Sequence, residues 1–455
     1  MNSQFTRRRF LKLAGLAGAG TTLASCAPAA TPTPAATQAS GPAAESPKKF
    51  KVDHLTIPIW WGPHDIEAVQ GLFDTRFTPD TGLTVKFEYI GSSDYVPTVF
   101  TRLSGNDPYD LVAYNADTAS QFVAKGALLP LDDLIKKNGV DLSDFDPAAL
   151  EQWTHDGKLY GLSNDLGTFH AYFNVDLFKK AGLEVPKPTE TWTWDKLLEY
   201  ARALTVKEGD QIVQYGVSSN AVTWAWDIFA NLNGAHIWDE KLSKSTLDDP
   251  KVIEAFQFFQ DLMYKEQVAL LPGASKLGPH ELFAAGQLAI LLDGTWITGF
   301  LRDKMSEIKF TWDVGLLPTN ATPAFIPNFT AGWSIPSVAK DPDASFAALQ
   351  LYASETFNEV MTNFAVVPVR FSATKKAYFY QWPERPPEGL TSEFYAKLKE
   401  LGVSRRHLKF DLGSDIVASL AKLDLIWSNE RQPADVLPEI ASEINQVLPT
   451  RPWNK

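Results

Sequence analysis

The order of apolar and polar positions predicts a chain in which strands and helices alternate. Residues 55–61 (LTIPIWW) form a short apolar run, and residues 83–90 (LTVKFEYI) alternate apolar and polar side chains as a half-buried strand does. Residues 110–114, 288–292 and 310–317 carry further strand signals. These segments supply the strands of at least one sheet.

Helical segments lie between the strands, and several begin with a recognisable cap. Apolar residues recur at helical spacing in residues 66–77 and 116–125. Asp249-Pro250 and Asp341-Pro342 each place an N-cap acid before a proline, which the first turn of a helix tolerates, and Thr193 precedes a third such segment. Strands that alternate with helices are typical of an α/β fold.

The N-terminus has a different character and predicts an export signal. Arg7, Arg8 and Arg9 precede a weakly apolar stretch in residues 13–23, which is too short to span a membrane. The paired arginines resemble those of a twin-arginine signal, although the sequence leaves the export route open. Residues 1–25 are therefore predicted to be a signal peptide.

The segment that follows predicts a lipid anchor and a tether. Cys26 comes directly after Leu23-Ala24-Ser25 and is the only cysteine in the chain, an arrangement that resembles a lipoprotein processing site. Two acyl chains on its thiol would hold a soluble domain at a bilayer. Residues 26–50 are mostly small or polar and predict a disordered tether. The expected location is the extracytoplasmic face of the cell membrane, or the periplasm.

Charge and cysteine content exclude several classes of partner and site. The formal net charge is −12, and loss of the four basic side chains in residues 1–25 would make it −16. Such a surface repels nucleic acid, so no nucleic-acid partner is expected. A single cysteine excludes disulfides within the chain, and the seven histidines lack ligand spacing. We therefore predict a monomer without metal or cofactor.

The sequence lacks the common signatures of catalysis. It contains no G-x-S-x-G elbow, no H-E-x-x-H pair and no phosphate-binding loop. A glycosidase, however, needs only two carboxylates that face each other across a cleft, and 54 acidic residues leave that open. A lipid-anchored carbohydrate-active enzyme therefore stays as an alternative to the non-catalytic interpretation.

Aromatic residues are the most distinctive candidates for chemistry. Several of the 14 tryptophans lie where predicted elements end: Trp60 and Trp61 close the first strand, Trp296 follows Asp293-Gly294, and Trp333 follows Gly332. A flat ring suits stacking on the C–H face of a sugar, with nearby Asp and Asn side chains bonding its hydroxyls. A single tryptophan is more often part of a core, but this set predicts a sugar-binding pocket.

Five ordered segments resemble one known family. Residues 110–135, 156–183, 191–205, 281–297 and 332–354 are similar, in order and spacing, to the family 1 extracellular solute-binding proteins. These are the maltose-binding-like receptors of ABC importers. The resemblance covers nearly all of residues 52–450.

The resemblance implies a two-lobed periplasmic-binding-protein fold of type II. Three crossovers join the lobes in that fold, and the ligand lies in the cleft between them. The N-terminal lobe would comprise residues 51–166 and 331–371, and the C-terminal lobe residues 167–330 and 372–455.

The resemblance also implies the ligand-binding residues by position. Trp296 matches the tryptophan of the family's [DN]-G-x-W motif, which stacks on the ligand, and is the central prediction. Arg370 has two interpretations, a ligand contact and a structural ion pair at the hinge. The full predicted set is Trp60, Trp61, Tyr114, Asn115, Asp117, Asn164, Asp165, Phe169, Trp224, Trp226, Asp293, Trp296, Gly332, Trp333 and Arg370.

Function follows from the resemblance as an expectation. The protein would capture a mono- or oligosaccharide by hinge closure and deliver it to the transmembrane permease subunits of an ABC importer. A polyol, a sugar phosphate or a polyamine remains open as the ligand, because a phosphate would require arginines and an acidic aromatic pocket also suits a cation. A sensor that reports to a membrane kinase is a further alternative.

Overall fold

The strands fall in the regions that the alternating pattern indicated. The computed structural model describes residues 50–105, 107–218, 227–321, 325–361, 367–374, 387–404 and 413–450. Its strands are β1 (His54–Ile59), β2 (Thr84–Tyr89), β3 (Val112–Asn115), β4 (Thr154–His155), β5 (Lys158–Leu159), β6 (Leu162–Ser163), β7 (Phe169–Asn174), β8 (Val206–Glu208), β9 (Gln211–Val217), β10 (Leu288–Gly294), β11 (Trp312–Gly315), β12 (Ile326–Asn328), β13 (Ala331–Ser334) and β14 (Gly402–Ser404).

Helices connect and flank these strands. They are α1 (Pro63–Leu72), α2 (Thr78–Thr81), α3 (Ser92–Leu103), α4 (Ala116–Ala124), α5 (Asp132–Asn138), α6 (Pro147–Gln152), α7 (Val175–Lys180), α8 (Trp194–Leu204), α9 (Asp227–Leu232), α10 (Pro250–Tyr264), α11 (Pro279–Ala284), α12 (Ile297–Asp303), α13 (Pro342–Tyr352), α14 (Glu355–Met361), α15 (Phe371–Thr374), α16 (Ser392–Leu401), α17 (Gly413–Leu420), α18 (Asp424–Trp427) and α19 (Pro433–Val447). A π-helical turn (Phe73–Phe77) and two 3₁₀ turns (Ala421–Leu423 and Leu448–Thr450) complete them.

The larger sheets are built from different parts of the chain. A five-stranded sheet has the order β11-β7-β10-β9-β8, and a three-stranded antiparallel sheet has the order β3-β13-β6. β1 and β2 pair in parallel, as do β12 and β14, and β4 pairs with β5. The chain passes from the three-stranded to the five-stranded sheet between β6 and β7. It returns between β11 and β13.

Burial explains why two kinds of sequence pattern form strands. β10 is buried along its whole length because it lies inside the five-stranded sheet, which accounts for its continuous apolar run. β2 buries Val85 and exposes Thr84 and Lys86, as the alternation predicts. Tyr89 departs from that pattern, since 62% of it is exposed at the end of the strand.

The predicted helix caps are confirmed. The Thr193 hydroxyl accepts from the Lys196 N–H at 3.3 Å, and the Asp249 carboxylate accepts from the Lys251 N–H at 2.8 Å. Asp341 likewise accepts from the Ala344 N–H. Each side chain satisfies a backbone donor that the first turn of a helix leaves without a partner.

The helix predicted over residues 66–77 is longer and less regular than its sequence pattern indicated. It starts at Pro63 and continues through the π-helical turn to Thr81, where Gly82 ends it with a φ of 74°. Both Phe73 and Phe77 are buried, with their ring centroids 5.3 Å apart. The wide turn thus places two aromatic rings in the core.

A core of aromatic rings packs against the three-stranded sheet. Trp333 in β13 is completely buried, and its ring stacks on Tyr352 with centroids 4.1 Å apart. Phe73 stacks on it at 6.0 Å. Beside it, Gly332 allows the buried Trp153 ring to lie directly against β13.

We predict that Gly332→Ala lowers the free energy of unfolding by about 1–3 kcal/mol, the usual effect of overpacking a dense core. A Cβ at this position would overlap the Trp153 ring and lie 2.7 Å from the Leu162 carbonyl oxygen. Gly71→Ala in α1 is the control, because a Cβ there meets nothing within 4 Å and alanine favours a helix. Urea unfolding of both variants measures the effect, and equal stabilities would contradict this account of β13.

Candidate ligand-binding site

Strands β1 and β3 lie side by side and run in the same direction. The buried Tyr95 hydroxyl donates to the Pro58 carbonyl oxygen in β1 (3.2 Å) and accepts from the Ala113 N–H in β3 (3.0 Å). Before β3, the Asp110 N–H donates to the Thr56 oxygen at 3.1 Å. The carboxyl ends of both strands are therefore at one edge, where ligands commonly bind in α/β folds.

This edge presents three of the predicted ligand-binding residues. Trp60 and Trp61 follow β1 and are partly exposed, and Asn115 is exposed at the end of β3. The Trp60 ring packs edge-on against the Tyr95 ring, with centroids 5.0 Å apart. An aromatic face and a polar amide are thus available at the same edge.

Three short stretches of chain meet beside this edge, and we call them the junction segments: residues 164–168, 328–331 and 367–370. Gly167 and Phe329 exchange two backbone hydrogen bonds of 2.7 Å, which joins the first two segments. The Leu166 N–H donates to the Val367 oxygen at 2.7 Å, which joins the third. The junction segments therefore form a hydrogen-bonded bundle, and the first two lie where the chain passes between the two larger sheets.

Trp296 lies against this bundle, partly exposed, just beyond the end of β10. Its ring packs edge-on against Phe169 (centroids 5.3 Å apart) and Phe329 (6.4 Å apart). It also covers Gly294, where a Cβ would overlap the ring, and a Cβ on Gly167 would lie 3.3 Å from it. The two glycines leave the space in which this indole fits.

Buried hydrogen bonds hold the turn that presents Trp296. The Tyr172 hydroxyl in β7 donates to the Gly294 carbonyl oxygen at 2.8 Å and lies 2.9 Å from the Thr298 hydroxyl. The Thr295 N–H donates to the Thr168 carbonyl oxygen at 2.9 Å, linking the turn to the first junction segment. The turn that carries the indole is therefore held by β7 and by the first junction segment.

Asp293 is engaged within the protein. Its carboxylate accepts from the Gly294 N–H at 2.6 Å and contacts Nε2 of His280 at 2.7 Å. Burial alone would lower the pKa of His280, but the hydrogen bond and charge of Asp293, together with the charge of Glu281, raise it above its ordinary value.

Comparison with known proteins identifies the family. Residues 62–358 match the family described as bacterial extracellular solute-binding protein, which is more than half of the chain. The chain is a member of this family. Membership confirms the resemblance found in the sequence and assigns the chain to solute-binding proteins rather than to enzymes.

Two relatives among bacterial extracellular solute-binding proteins illustrate the range of the matches. The sn-glycerol-3-phosphate-binding periplasmic protein of Rhizobium meliloti is 24% identical over 299 residues, which are 61% of this chain and 66% of that protein. The chain thus spans just under two thirds of that relative. The arabinooligosaccharide-binding protein of Bacillus subtilis is 23% identical over 76% of this chain and 80% of its own length.

A solved structure confirms the fold class. An ABC substrate-binding protein from Listeria monocytogenes, determined in complex with cycloalternan, superimposes with a TM-score of 0.76 and 24% identity. The match covers 87% of this chain and 98% of that one. The predicted type II solute-binding fold is therefore confirmed.

Three residues that the family resemblance placed at the ligand lie in the core instead. Tyr114 is 2% exposed and stacks on Phe122 and Trp153, with centroids 4.9 and 5.9 Å away. Trp333 is enclosed by aromatic rings, and Gly332 is required by the packing of Trp153. The structure therefore places these three residues in the packing of the three-stranded sheet and not at the exposed edge beside Asn115.

Three further predicted residues, Asn164, Phe169 and Arg370, make contacts within the junction segments or next to them. Asn164 is 1% exposed and its carbonyl oxygen accepts from Asn358 at 2.6 Å, while Phe169 is 2% exposed and packs on Trp296. Arg370 donates to the Ala353 oxygen at 2.7 Å and pairs with Asp144 at 3.3 Å. The structure thus supports the interpretation of Arg370 as part of an ion pair.

The Asp144 partner of Arg370 is a well-bonded carboxylate. Burial would raise the pKa of Asp144, but hydrogen bonds from Ser372 and Arg370 lower it below its ordinary value. The Arg370 guanidinium also lies over the Phe145 ring, 4.2 Å from its centroid. These contacts fix the third junction segment to the loop before α6.

Several predicted residues lie outside what the structure describes. These are Trp224, Trp226, Cys26 with the rest of residues 1–49, and the side chain of Asp117. Over the described ranges, no cluster of three or more His, Cys, Asp or Glu side chains is placed to hold a metal ion. In the same ranges, no helix combines the length and apolar character needed to cross a membrane.

Sequence reasoning missed two residues of the site, Phe329 and His280. Phe329 follows β12 in a segment without strong periodicity, and His280 is separated from Asp293 by twelve residues. The only signal for His280 was its position in the first turn of a helix that leads directly into β10.

Asp165 connects the first two junction segments through its side chain. Its carboxylate accepts from the Ala331 N–H at 2.9 Å and lies 3.2 Å from the Ser163 hydroxyl. Burial raises the pKa of Asp165 to about 6, although both hydrogen bonds act in the opposite direction. The folded protein therefore binds a proton here more tightly than the unfolded chain does.

We predict that Asp165→Asn removes a pH dependence of stability. Because the folded-state pKa is raised from 3.8 to about 6, the stabilisation is present below pH 4 and is lost as the pH rises through 6. This loss amounts to at most about 3 kcal/mol. Asparagine is uncharged and can still accept from Ala331, so its advantage over the wild type should grow between pH 4.5 and 8 in urea unfolding. A constant difference would contradict the assignment.

Proposed function

We propose that this protein is the extracytoplasmic receptor of an ABC importer and that it binds a mono- or oligosaccharide. The observation that carries the proposal is the placement of Trp296. Its ring is partly exposed and held in one orientation, next to the junction segments. Aromatic rings of this kind stack on sugar rings, and Asn115 at the edge of β3 supplies hydrogen bonds for hydroxyls.

The charges of the described site favour a neutral ligand. Arg370 is engaged with Asp144 and the Ala353 carbonyl, and His280 is paired with Asp293. A phosphate ester is usually held by arginines with free N–H groups. Arg370 is not available in that way, and the charge of His280 is balanced by Asp293, so a sugar suits this site better than a phosphate.

The proposed mechanism is closure about the junction segments, which we take to be the three crossovers. The N-terminal lobe would then comprise residues 51–166 and 331–371, and the C-terminal lobe residues 167–330 and 372–455. Trp60, Trp61 and Asn115 would contact the ligand from one lobe and Trp296 from the other. Since both sets of contacts exist only when the cleft is shut, ligand shifts the population to the closed form, which the permease binds.

The N-terminal residues suit such a receptor. We propose that residues 1–25 direct export, that Cys26 carries the lipid, and that residues 26–50 tether the folded part, which works as a monomer at the extracytoplasmic face of the membrane. Two acyl chains would suffice for stable anchoring.

A sugar phosphate is the second candidate ligand. It is favoured by one observation, the similarity to a relative named for sn-glycerol 3-phosphate. A phosphate would have to displace an existing ion pair of His280 or Arg370, or bind through backbone N–H groups.

A thermal-shift screen of residues 51–455 tests the proposal. The probes are maltotriose, arabinotriose, glycerol, glycerol 3-phosphate and spermidine. We expect a trisaccharide at a hundredfold excess over its Kd to stabilise the protein by about 2.7 kcal/mol and to remain chemically intact. Stabilisation by glycerol 3-phosphate or spermidine alone would overturn the choice of ligand, and turnover of the sugar would revive the enzyme alternative.

We predict that Trp296→Ala abolishes measurable trisaccharide binding and leaves the fold intact, because the variant loses the stacking surface. Phe310→Ala is the control, since Phe310 is also a partly buried aromatic. Phe310 precedes β11, which is antiparallel to β7 and begins opposite Asn174. It therefore lies near the end of β7 that is farther from Phe169. Calorimetric titration measures both variants, and unchanged affinity in Trp296→Ala would refute this site.

A further inference from the structure

His280 lies at the same strand end as Trp296. The end of α11 leads into β10, where the Gln287 N–H donates to the Leu282 oxygen at 2.9 Å. The start of α11 contacts the opposite end of β10, where Nε2 of His280 meets the Asp293 carboxylate. The helix thus runs back along the strand and returns His280 to the edge at which Trp296 is presented.

A second contact places His280 beside α12, the helix that begins directly after Trp296. The His280 and Phe300 ring centroids are 6.0 Å apart. Trp296 and Phe300 are four residues apart at the start of α12, and both are partly exposed. Residues at this spacing share one face of a helix, so His280 packs on the face that begins with Trp296.

We infer that His280 is a specificity-determining residue that hydrogen-bonds a hydroxyl group of the bound sugar through Nδ1. The inference rests on the proposed function and adds a residue that the family motif does not contain. Asp293 is then a positioning residue, which holds the imidazole by Nε2 and directs the other nitrogen outward.

The exposure of the His280 imidazole and its hydrogen bonds support its assignment as a ligand contact. The side chain of His280 is 34% exposed, whereas that of Asp293 is 10% exposed. Nε2 is bonded to Asp293, and Nδ1 has no hydrogen-bond partner among the residues that the structure describes. A ring with one fixed nitrogen and one open nitrogen at a ligand edge is oriented for recognition.

The chemistry of the pair suits a hydroxyl group. When imidazole is protonated, Nδ1 donates, and when it is neutral with its proton on Nε2 toward Asp293, Nδ1 accepts. A sugar hydroxyl can hydrogen-bond to Nδ1 in both states because it donates as well as accepts. The charged groups around the ring are Asp293 on β10 and Glu281 on α11, and both disfavour an anionic ligand here.

Three substitutions separate ligand contact from support of Asp293. In His280→Gln the amide nitrogen can take the place of Nε2 and keep the bond to Asp293, while the position of Nδ1 is lost. In His280→Asn the shorter amide places its nitrogen near Nδ1 and loses Asp293. His280→Phe removes both nitrogens and retains the packing on Phe300.

Calorimetric titration of the four proteins with maltotriose and arabinotriose tests the inference, with the melting temperature of each variant as the control for folding. We expect His280→Gln and His280→Phe to lose affinity alike, by about fivefold to tenfold, and His280→Asn to lose less. Wild-type affinity in His280→Gln, with a loss in both His280→Asn and His280→Phe, would show a purely structural role and overturn the inference. Failure of the wild type to bind either sugar would overturn the proposed function and this inference together.

Discussion

The pair of backbone hydrogen bonds between Gly167 and Phe329 is the constraint on which the rest of the site depends. These bonds hold two passages of the chain together where it crosses between sheets. Phe169 and Phe329 are thereby brought to the Trp296 ring, and Ala331 to the carboxylate of Asp165. Aromatic packing and the charged contacts around the junction are consequences of this backbone arrangement, since their residues are far apart in the sequence.

Local patterns predicted much of the fold. The caps at Thr193, Asp249 and Asp341 depend only on neighbouring residues, and β10 shows the continuous apolar run of a strand covered on both faces. The π-helical turn was beyond such reasoning, because a helical apolar pattern does not distinguish a turn with an extra residue.

The site was predicted less completely, for a physical reason. A tryptophan beside a glycine suits a cleft and a tight core equally well. Gly294 makes room for a partly exposed indole, whereas Gly332 makes room for the buried Trp153. Only the tertiary neighbours of Trp296 and Trp333 separate these cases, and the link between His280 and Asp293 likewise requires knowing that a helix folds back along β10.

The contact of the Trp296 ring with Gly294 bears on the cost of recognition. With Gly167 beside it and two phenylalanine edges against it, the indole has few rotamers to lose when a ligand arrives. Binding normally spends part of its free energy on immobilising such side chains. At the proposed site that ordering is completed during folding, so the entropy lost on binding would come mainly from the solute and from closure of the cleft.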